Sequence, residues 1–225
     1  MGRTVIVGDV HGCAAELSDL VAKIGVAAGD RVVFVGDLIA RGPDSRGVLA
    51  IARRLGAVAV RGNHEQKLLS HRATRAPLSA MHRRVADALS PRDWADLEAM
   101  PLYADLPEHG LRVVHAGVDP ATPLERQLPE WLLTMRTIVD GRPSDKHGDA
   151  LWGAAWRGPR HIVFGHNARP DPQLHPFATG LDTACVYGGR LTALVLREGE
   201  RVPDVDHRAL SLVSVPARRE HARYA

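Results

Sequence analysis

Five times in this chain a short run of β-branched and aliphatic residues ends at a small residue or a histidine, next to side chains able to bind a cation or a phosphate. VIV (5–7) leads into Gly8-Asp9-Val10-His11-Gly12, VVFV (32–35) into Gly36-Asp37, and VAV (58–60) through Arg61 into Gly62-Asn63-His64-Glu65. RVV (112–114) leads into His115-Ala116-Gly117, and IVF (162–164) into Gly165-His166. Runs this short and this apolar read as strands buried on both faces, which occur in parallel sheets covered by helices. In such sheets ligands bind beyond the carboxyl ends of the strands. Five ends aimed at one crevice would gather Asp9, His11, Asp37, Asn63, His64, His115 and His166.

The intervening segments agree with an α/β order. Leu17, Leu20, Val21 and Ile24 share one face of a helix predicted over 14–24, and a second helix is predicted over 45–55. Residues 65–99 read as mainly helical, with Met81, Val85 and Leu89 at core spacing. Two apolar runs flank Gly188-Gly189 within 181–197, which predicts a hairpin and a second sheet with antiparallel strands. Residues 118–150, rich in proline and charge, read as a flexible insertion, and 214–225 as a loose C-terminal tail after a single domain over 1–213.

Composition narrows the partners. Net charge is only +3, from 29 basic and 26 acidic residues, too mild to argue for nucleic acid or a membrane. The two cysteines, Cys13 and Cys185, form neither a disulfide framework nor a CxxC pair, which fits a reducing compartment. No run approaches the ~20 apolar residues of a membrane span, and the opening MGRTVIVGD reads as a strand and not as a signal peptide. The expectation is a cytoplasmic protein with no membrane partner.

Imidazole, carboxylate and amide donors without thiolate suit Mn, Fe, Zn or Co better than Ca. Seven groups are too many for one ion with an open position. Two ions ~3.5–4 Å apart, sharing a carboxylate, fit the count and suit displacement at phosphorus. Arg41 then offers a planar fork for phosphate oxygens. Singly, each motif has an ordinary reading: Asp9-x-His11 a turn, Asn63 a helix cap, Arg41 a surface ion pair. Asp182 reads as a turn or ladder residue and stays outside the set.

GDVHG (8–12), GDLIARG (36–42), GNHE (62–65), HAG (115–117) and FGH (164–166) together resemble the calcineurin-like metallophosphoesterases, in the order and spacing of the phosphoprotein-phosphatase branch. The resemblance spans residues 4–196. It implies a four-layer α/β fold, with two central mixed β-sheets packed as a sandwich and flanked by helices. It also implies two divalent metal ions, Mn²⁺ foremost, with Fe, Co, Ni, Zn or Mg as alternatives. Asp9 and His11 would hold the first ion together with a bridging Asp37, and Asn63, His115 and His166 the second. His64 would protonate the leaving oxygen, and Arg41 would bind the phosphoryl group.

One position departs from the protein phosphatases. Ala40 stands where they carry an aspartate that supports the catalytic histidine. That predicts a less firmly oriented His64 and counts against a serine/threonine protein phosphatase, the alternative reading. Alanine there is similar to the symmetric diadenosine tetraphosphate hydrolases and the ApaH-like phosphatases. TMRTI (134–138), which supplies Arg136 as a substrate-binding residue, and GLDTACVYGGRLTAL (180–194) are similar to that subgroup too. The implied reaction is hydrolysis of dinucleoside polyphosphates, such as diadenosine tetraphosphate to two ADP, with capped RNA ends the one nucleic-acid substrate in view. Arg157 or Arg160 could add phosphate contacts. Trp131, Trp152 or Trp156 could stack on a base, though each fits a core as well.

Overall fold

The computed structural model describes residues 2–223. The chain opens as β1 (Thr4–Val7), α1 (Ala14–Ile24), β2 (Arg31–Phe34), α2 (Ser45–Arg54) and β3 (Val58–Ala59). Helices α3 (Asn63–Thr74), α4 (Ala80–Ala88) and α5 (Pro91–Ala99) follow, then β4 (Tyr103–Leu106) and β5 (Leu111–Val114). Next come α6 (Pro129–Thr134), β6 (Thr137–Val139), β7 (Arg142–Ser144), α7 (Trp152–Ala155) and β8 (His161–Phe164). β9 (Gln173–His175), β10 (Ala178–Gly180), β11 (Arg190–Leu196) and β12 (Leu212–Pro216) complete the described chain.

Two five-stranded sheets form, in the orders β12-β11-β1-β2-β3 and β4-β5-β8-β10-β9, beside the two-stranded β6-β7. Within the first, β1, β2 and β3 run parallel; within the second, β5, β8 and β10 do. β11 and β12 extend the first sheet by antiparallel pairing, as β4 and β9 do the second. Alternate residues of each strand face opposite ways, and the apolar clusters follow that alternation. Ile6, Val33 and Leu194 meet Leu111, Val113 and Val163 between the sheets. Val5, Val7 and Phe34 instead face Leu17 of α1 and Val48 of α2. Val114, Ile162 and Phe164 face Leu132 of α6 and Trp152 of α7. The layers are therefore helix, sheet, sheet, helix, as expected.

The stretch 65–99 is mainly helical as expected, divided into three helices because Ser79 and Ser90 cap new starts, the latter with Pro91 in first position and a reciprocal Asp93. Three other expectations change. Residues 181–187 do not form a hairpin strand. Leu181 N–H continues from β10 to the Phe164 carbonyl at 2.8 Å, and Ala184 then turns in the left-handed region at φ 62°. Residues 118–150 are built in: Leu124, Leu132 and Met135 are buried, Arg136 N–H bonds the Ser144 carbonyl at 2.8 Å, and Ile138 N–H bonds that of Ala150 at 2.9 Å.

The expected tail from 214 is instead the end of β12, paired with β11 and buried at Val215. Beyond it, Arg218 pairs with Asp19 at 2.9 Å and His221 with Glu16 at 2.8 Å, both on α1. Residues 224 and 225 lie outside the described residues. No helix among the described residues is long and apolar enough to cross a membrane.

Candidate metal centre

The parallel strands of both sheets end at one crevice. β1 delivers Asp9 and His11, β2 delivers Asp37, β3 delivers Asn63, β5 delivers His115 and β8 delivers His166. A sixth end, that of β10, delivers Asp182. The loops after these strands hold six of the eight described non-glycine residues at positive φ: His11, Asp37, Ala40, Arg41, His166 and Ala184. That conformation costs energy for L-residues and persists where surrounding structure enforces it, most often at functional sites. Glu65, wholly buried, does part of the enforcing. Its carboxylate accepts the N–H of Asp37 at 3.0 Å, of Ile39 at 3.2 Å and of Gly62 at 2.9 Å, which ties the second loop to the third.

Two triads of donors, His11-Asp37-His64 and Asp37-His115-His166, each have ligand atoms within 4.8 Å of one another, and they share Asp37. Asp37 Oδ2 lies 3.6 Å from His11 Nε2 and 3.5 Å from His115 Nε2. Asn63 Oδ1 lies 2.9 Å from His115 Nε2 and 3.0 Å from His166 Nδ1. Asp9 joins them by accepting the His166 N–H at 3.0 and 3.1 Å.

Where the imidazole protons sit decides whether a cation fits. His11 Nδ1 faces the Ile39 carbonyl at 3.2 Å, His115 Nδ1 the Val35 carbonyl at 3.0 Å, and His166 Nε2 the Thr134 carbonyl at 3.1 Å. A carbonyl can only accept, so each of these nitrogens carries the hydrogen. The other nitrogen of each neutral ring therefore bears a lone pair. Those three lone pairs point at Asp37 Oδ2 and Asn63 Oδ1, which are acceptors as well. With Asp37 ionised and Asn63 in this amide orientation, acceptors converge on acceptors, an arrangement that a cation among them satisfies, and main-chain bonds of this kind are how histidine ligands are oriented. The donor set fits divalent metal.

The electrostatics agree. Burial pushes Asp9 well above the usual carboxylate range, Asp37 and Glu65 to about 7, and Asp182 to about 6. It pushes His11 down to about 3, His115 to about 4, and His166 well below its ordinary value. Neutral imidazoles and carboxylates crowded out of water are what a bound dication stabilises.

His64 sits differently. Its backbone N–H holds Asp37 Oδ1 at 3.0 Å, but both ring nitrogens are engaged elsewhere: Nε2 with Arg41 Nε at 3.3 Å, and Nδ1 with His82 Nε2 at 3.0 Å. Distance alone places it in the first triad, but both of its ring nitrogens already have partners outside the cluster. Arg41, Arg136, Asp182 and Tyr187 close a polar cavity of about 80 Å³ over these groups. A larger hollow of about 410 Å³ adjoins at Arg41, with Met81, Val85 and Leu89 as an apolar wall and Arg46 and Arg84 beside it.

The calcineurin-like phosphoesterase family matches residues 2–200. The chain belongs to that family. The phosphoesterase is 35% identical over 229 residues to bis(5'-nucleosyl)-tetraphosphatase PrpE [asymmetrical] of Bacillus velezensis, covering 88% of this chain and 90% of the relative. It is 32% identical to the protein of the same name from Halalkalibacterium halodurans, covering 95% and 93%. Among solved structures it superposes at TM-score 0.83 and 37% identity on one described as "Crystal structure of a putative diadenosine tetraphosphatase", covering 96% and 94%. It shares its fold, at TM-score 0.62 and 17% identity, with a protein serine/threonine phosphatase from Saccharomyces cerevisiae, covering 96% and 79%. The expected kinship to symmetric hydrolases is not what these relatives carry: those named are of the asymmetrical type.

Within the phosphoesterase, all nine expected site residues meet at the crevice. Arg136 arrives from the loop after α6 and lines the small cavity, its Nη1 donating to the Asp145 carbonyl at 3.0 Å. Arg157 and Arg160 line neither cavity: Arg157 donates to the Trp156 carbonyl at 3.0 Å, and Arg160 pairs with Asp105 at 2.8 Å. Trp152 and Trp156 are core, each with its indole N–H on a main-chain carbonyl, and Trp131 packs against the same cluster. Three residues of the site went unassigned in the motifs. Asp182 obeys the strand-end rule that named the others, and ATG before it was the available signal. Glu65 stood inside a quoted motif. Nothing local marks His82.

Proposed function

We propose that this phosphoesterase hydrolyses dinucleoside tetraphosphates, and that it does so asymmetrically, releasing a nucleoside triphosphate and a nucleoside monophosphate. The observation that carries the metal reading is the convergence of three imidazole lone pairs on Asp37 and Asn63. Asp9, His11 and Asp37 would hold one divalent cation, and Asp37, Asn63, His115 and His166 the other. Mn²⁺ suits this nitrogen and oxygen set, as do Fe, Co, Ni, Zn and Mg in varying degree. When bound, the pair supplies an activated water and neutralises charge on the transferred phosphoryl group.

The chain's own residues do the rest. Arg41, which lines the cavity together with Asp37, presents its guanidinium fork to phosphoryl oxygens. Arg136 adds a second cation for the longer phosphate chain. His64, freed from Arg41 as that fork engages phosphate, takes up a solvent proton at Nε2 and passes it to the departing oxygen. Such acid catalysis is worth roughly 10²–10⁴-fold. The hollow of about 410 Å³ next to Arg41 falls in the size range of nucleotide-sized pockets and offers an apolar wall for a nucleoside. Asymmetric cleavage is carried over from the relatives' designation. A cytoplasmic location, where such nucleotides occur, completes the reading.

Diadenosine tetraphosphate incubated with the enzyme and Mn²⁺ should yield ATP and AMP in equal amounts, and chelator should stop the reaction. Two ADP would overturn the asymmetric assignment. Rapid turnover of a phosphopeptide with no turnover of the dinucleotide would overturn the substrate class.

A further inference from the structure

We propose that His82 is a positioning residue for His64, holding its ring at the end of a hydrogen-bond chain whose direction is fixed by Arg41. The chain starts from a group with no choice. Arg41 Nε carries a hydrogen and has no lone pair to offer, so at 3.3 Å His64 Nε2 must accept. A neutral His64 that accepts at Nε2 has its hydrogen on Nδ1. That hydrogen is donated to His82 Nε2, 3.0 Å away. His82 therefore accepts at Nε2 and carries its own hydrogen on Nδ1, which it donates to Ser79 Oγ at 2.8 Å. One obligatory donor thus sets the tautomers of two histidines.

The supporting geometry is local and rigid. Ser79 caps α4, and His82 is three positions into that helix, where its side chain folds back over the cap while its N–H also reaches Ser79 Oγ at 3.4 Å. The two imidazole planes are inclined by 26° with centroids 4.9 Å apart, and the facing nitrogens lie within hydrogen-bond distance at 3.0 Å. His64 and His82 are buried, and Ser79 is at the surface. Ala40, on the loop that passes His64, carries a methyl group and no acceptor. The expectation that Ala40 leaves His64 loosely held is thereby corrected: His82 supplies an acceptor from a different helix.

The consequence rests on the proposed role of His64 as proton donor. His64 keeps donating Nδ1–H to His82 whether or not Nε2 carries a proton, so the ring is aimed the same way before and after transfer. Without an acceptor at Nδ1, the ring could turn over about its χ2 angle and present carbon in place of Nε2.

The test compares His82→Gln, which keeps an acceptor oxygen, with His82→Phe, which keeps bulk and loses it. Nitrogen-15 NMR of histidine-labelled full chain, metal-free and again with Mg²⁺, should show His64 as the pure Nδ1–H tautomer in wild type and His82→Gln, and as a mixture in His82→Phe. Turnover of aryl phosphates with poor leaving groups should fall about 10–100-fold in His82→Phe at nearly unchanged KM, the range typical of losing an orienting partner. The fall should be under about threefold with p-nitrophenyl phosphate, and His82→Gln should recover most of the loss. An unchanged His64 tautomer in His82→Phe overturns the proposal. A changed tautomer with equal losses on good and poor leaving groups keeps His82 as the positioning residue and removes His64 from the acid role. Should His82→Phe fail to fold, Arg41→Met decides the matter from the other end by NMR alone, since a His64 still wholly in the Nδ1–H tautomer there overturns the direction set by Arg41.

Discussion

Gly165 follows β8 and faces the carboxylate that β1 delivers. A methyl group built on its Cα would lie 1.8 Å from Asp9 Oδ1 and 2.6 Å from Val35 Cγ2, where ordinary contact begins at 3.4 Å. Val35 is packed between the sheets and cannot retreat. In Gly165→Ala the carboxylate must therefore withdraw by the difference between 1.8 and 3.4 Å, or 1.6 Å. Metal ligands tolerate about 0.2 Å, so Asp9 leaves the set. Overpacking of this kind costs about 1–3 kcal/mol, which for a domain of this length lowers Tm by roughly 2–12 °C. Calorimetry on the metal-free variant should show that drop, and isothermal titration with Mn²⁺ should show one ion lost or greatly weakened. Gly148→Ala is the control: its methyl would meet only Thr137 Cγ2 at 3.6 Å, and a change within about 0.5 kcal/mol is expected. Two ions bound by Gly165→Ala at wild-type affinity and unchanged Tm would refute both the steric argument and the placement of Asp9 in the centre.

Two further outcomes follow from burial. Asp182 has its pKa raised from 3.8 to about 6, chiefly by burial. A raised acid holds its proton longer folded than unfolded, so its contribution to stability is lost as pH climbs from about 4 through 6. Asp182→Asn removes that loss. Without metal it should match wild type at pH 4 and exceed it at pH 8 by up to about 3 kcal/mol, while binding cations more weakly; equal stability of the two proteins at pH 8 would contradict this. Where the C-terminal segment packs on α1, Glu16 is buried and its Oε1 accepts from His221 Nε2 at 2.8 Å and from Arg218 N–H at 3.0 Å. His221→Ala should cost about 1–3 kcal/mol, read as a fall of roughly 2–12 °C in Tm, whereas a loose terminal segment would leave Tm unmoved.

The strand ends were legible because everything they need is local: a short apolar run, a small residue, and a donor immediately after it. The same rule reaches Asp182 only when ATG is taken as a strand, and three residues with a threonine and a glycine among them are a weak signal. The hairpin at Gly188-Gly189 was a fair local inference, overruled because residues 181–184 serve the crevice. Residues 214–223 are polar, but β12 has the exposed edge of β11 to cover, and composition says nothing of an edge that awaits a partner. What no local pattern could supply is the proton placement on which the proposed cation site rests. His11, His115 and His166 each turn one nitrogen inward by virtue of the carbonyls of Ile39, Val35 and Thr134, each from a different segment. Thr134 belongs to the stretch expected to be a flexible insertion. Its carbonyl fixes which nitrogen of His166 faces Asn63, so that stretch belongs to the proposed centre and has to be ordered for His166 Nδ1 to point inward.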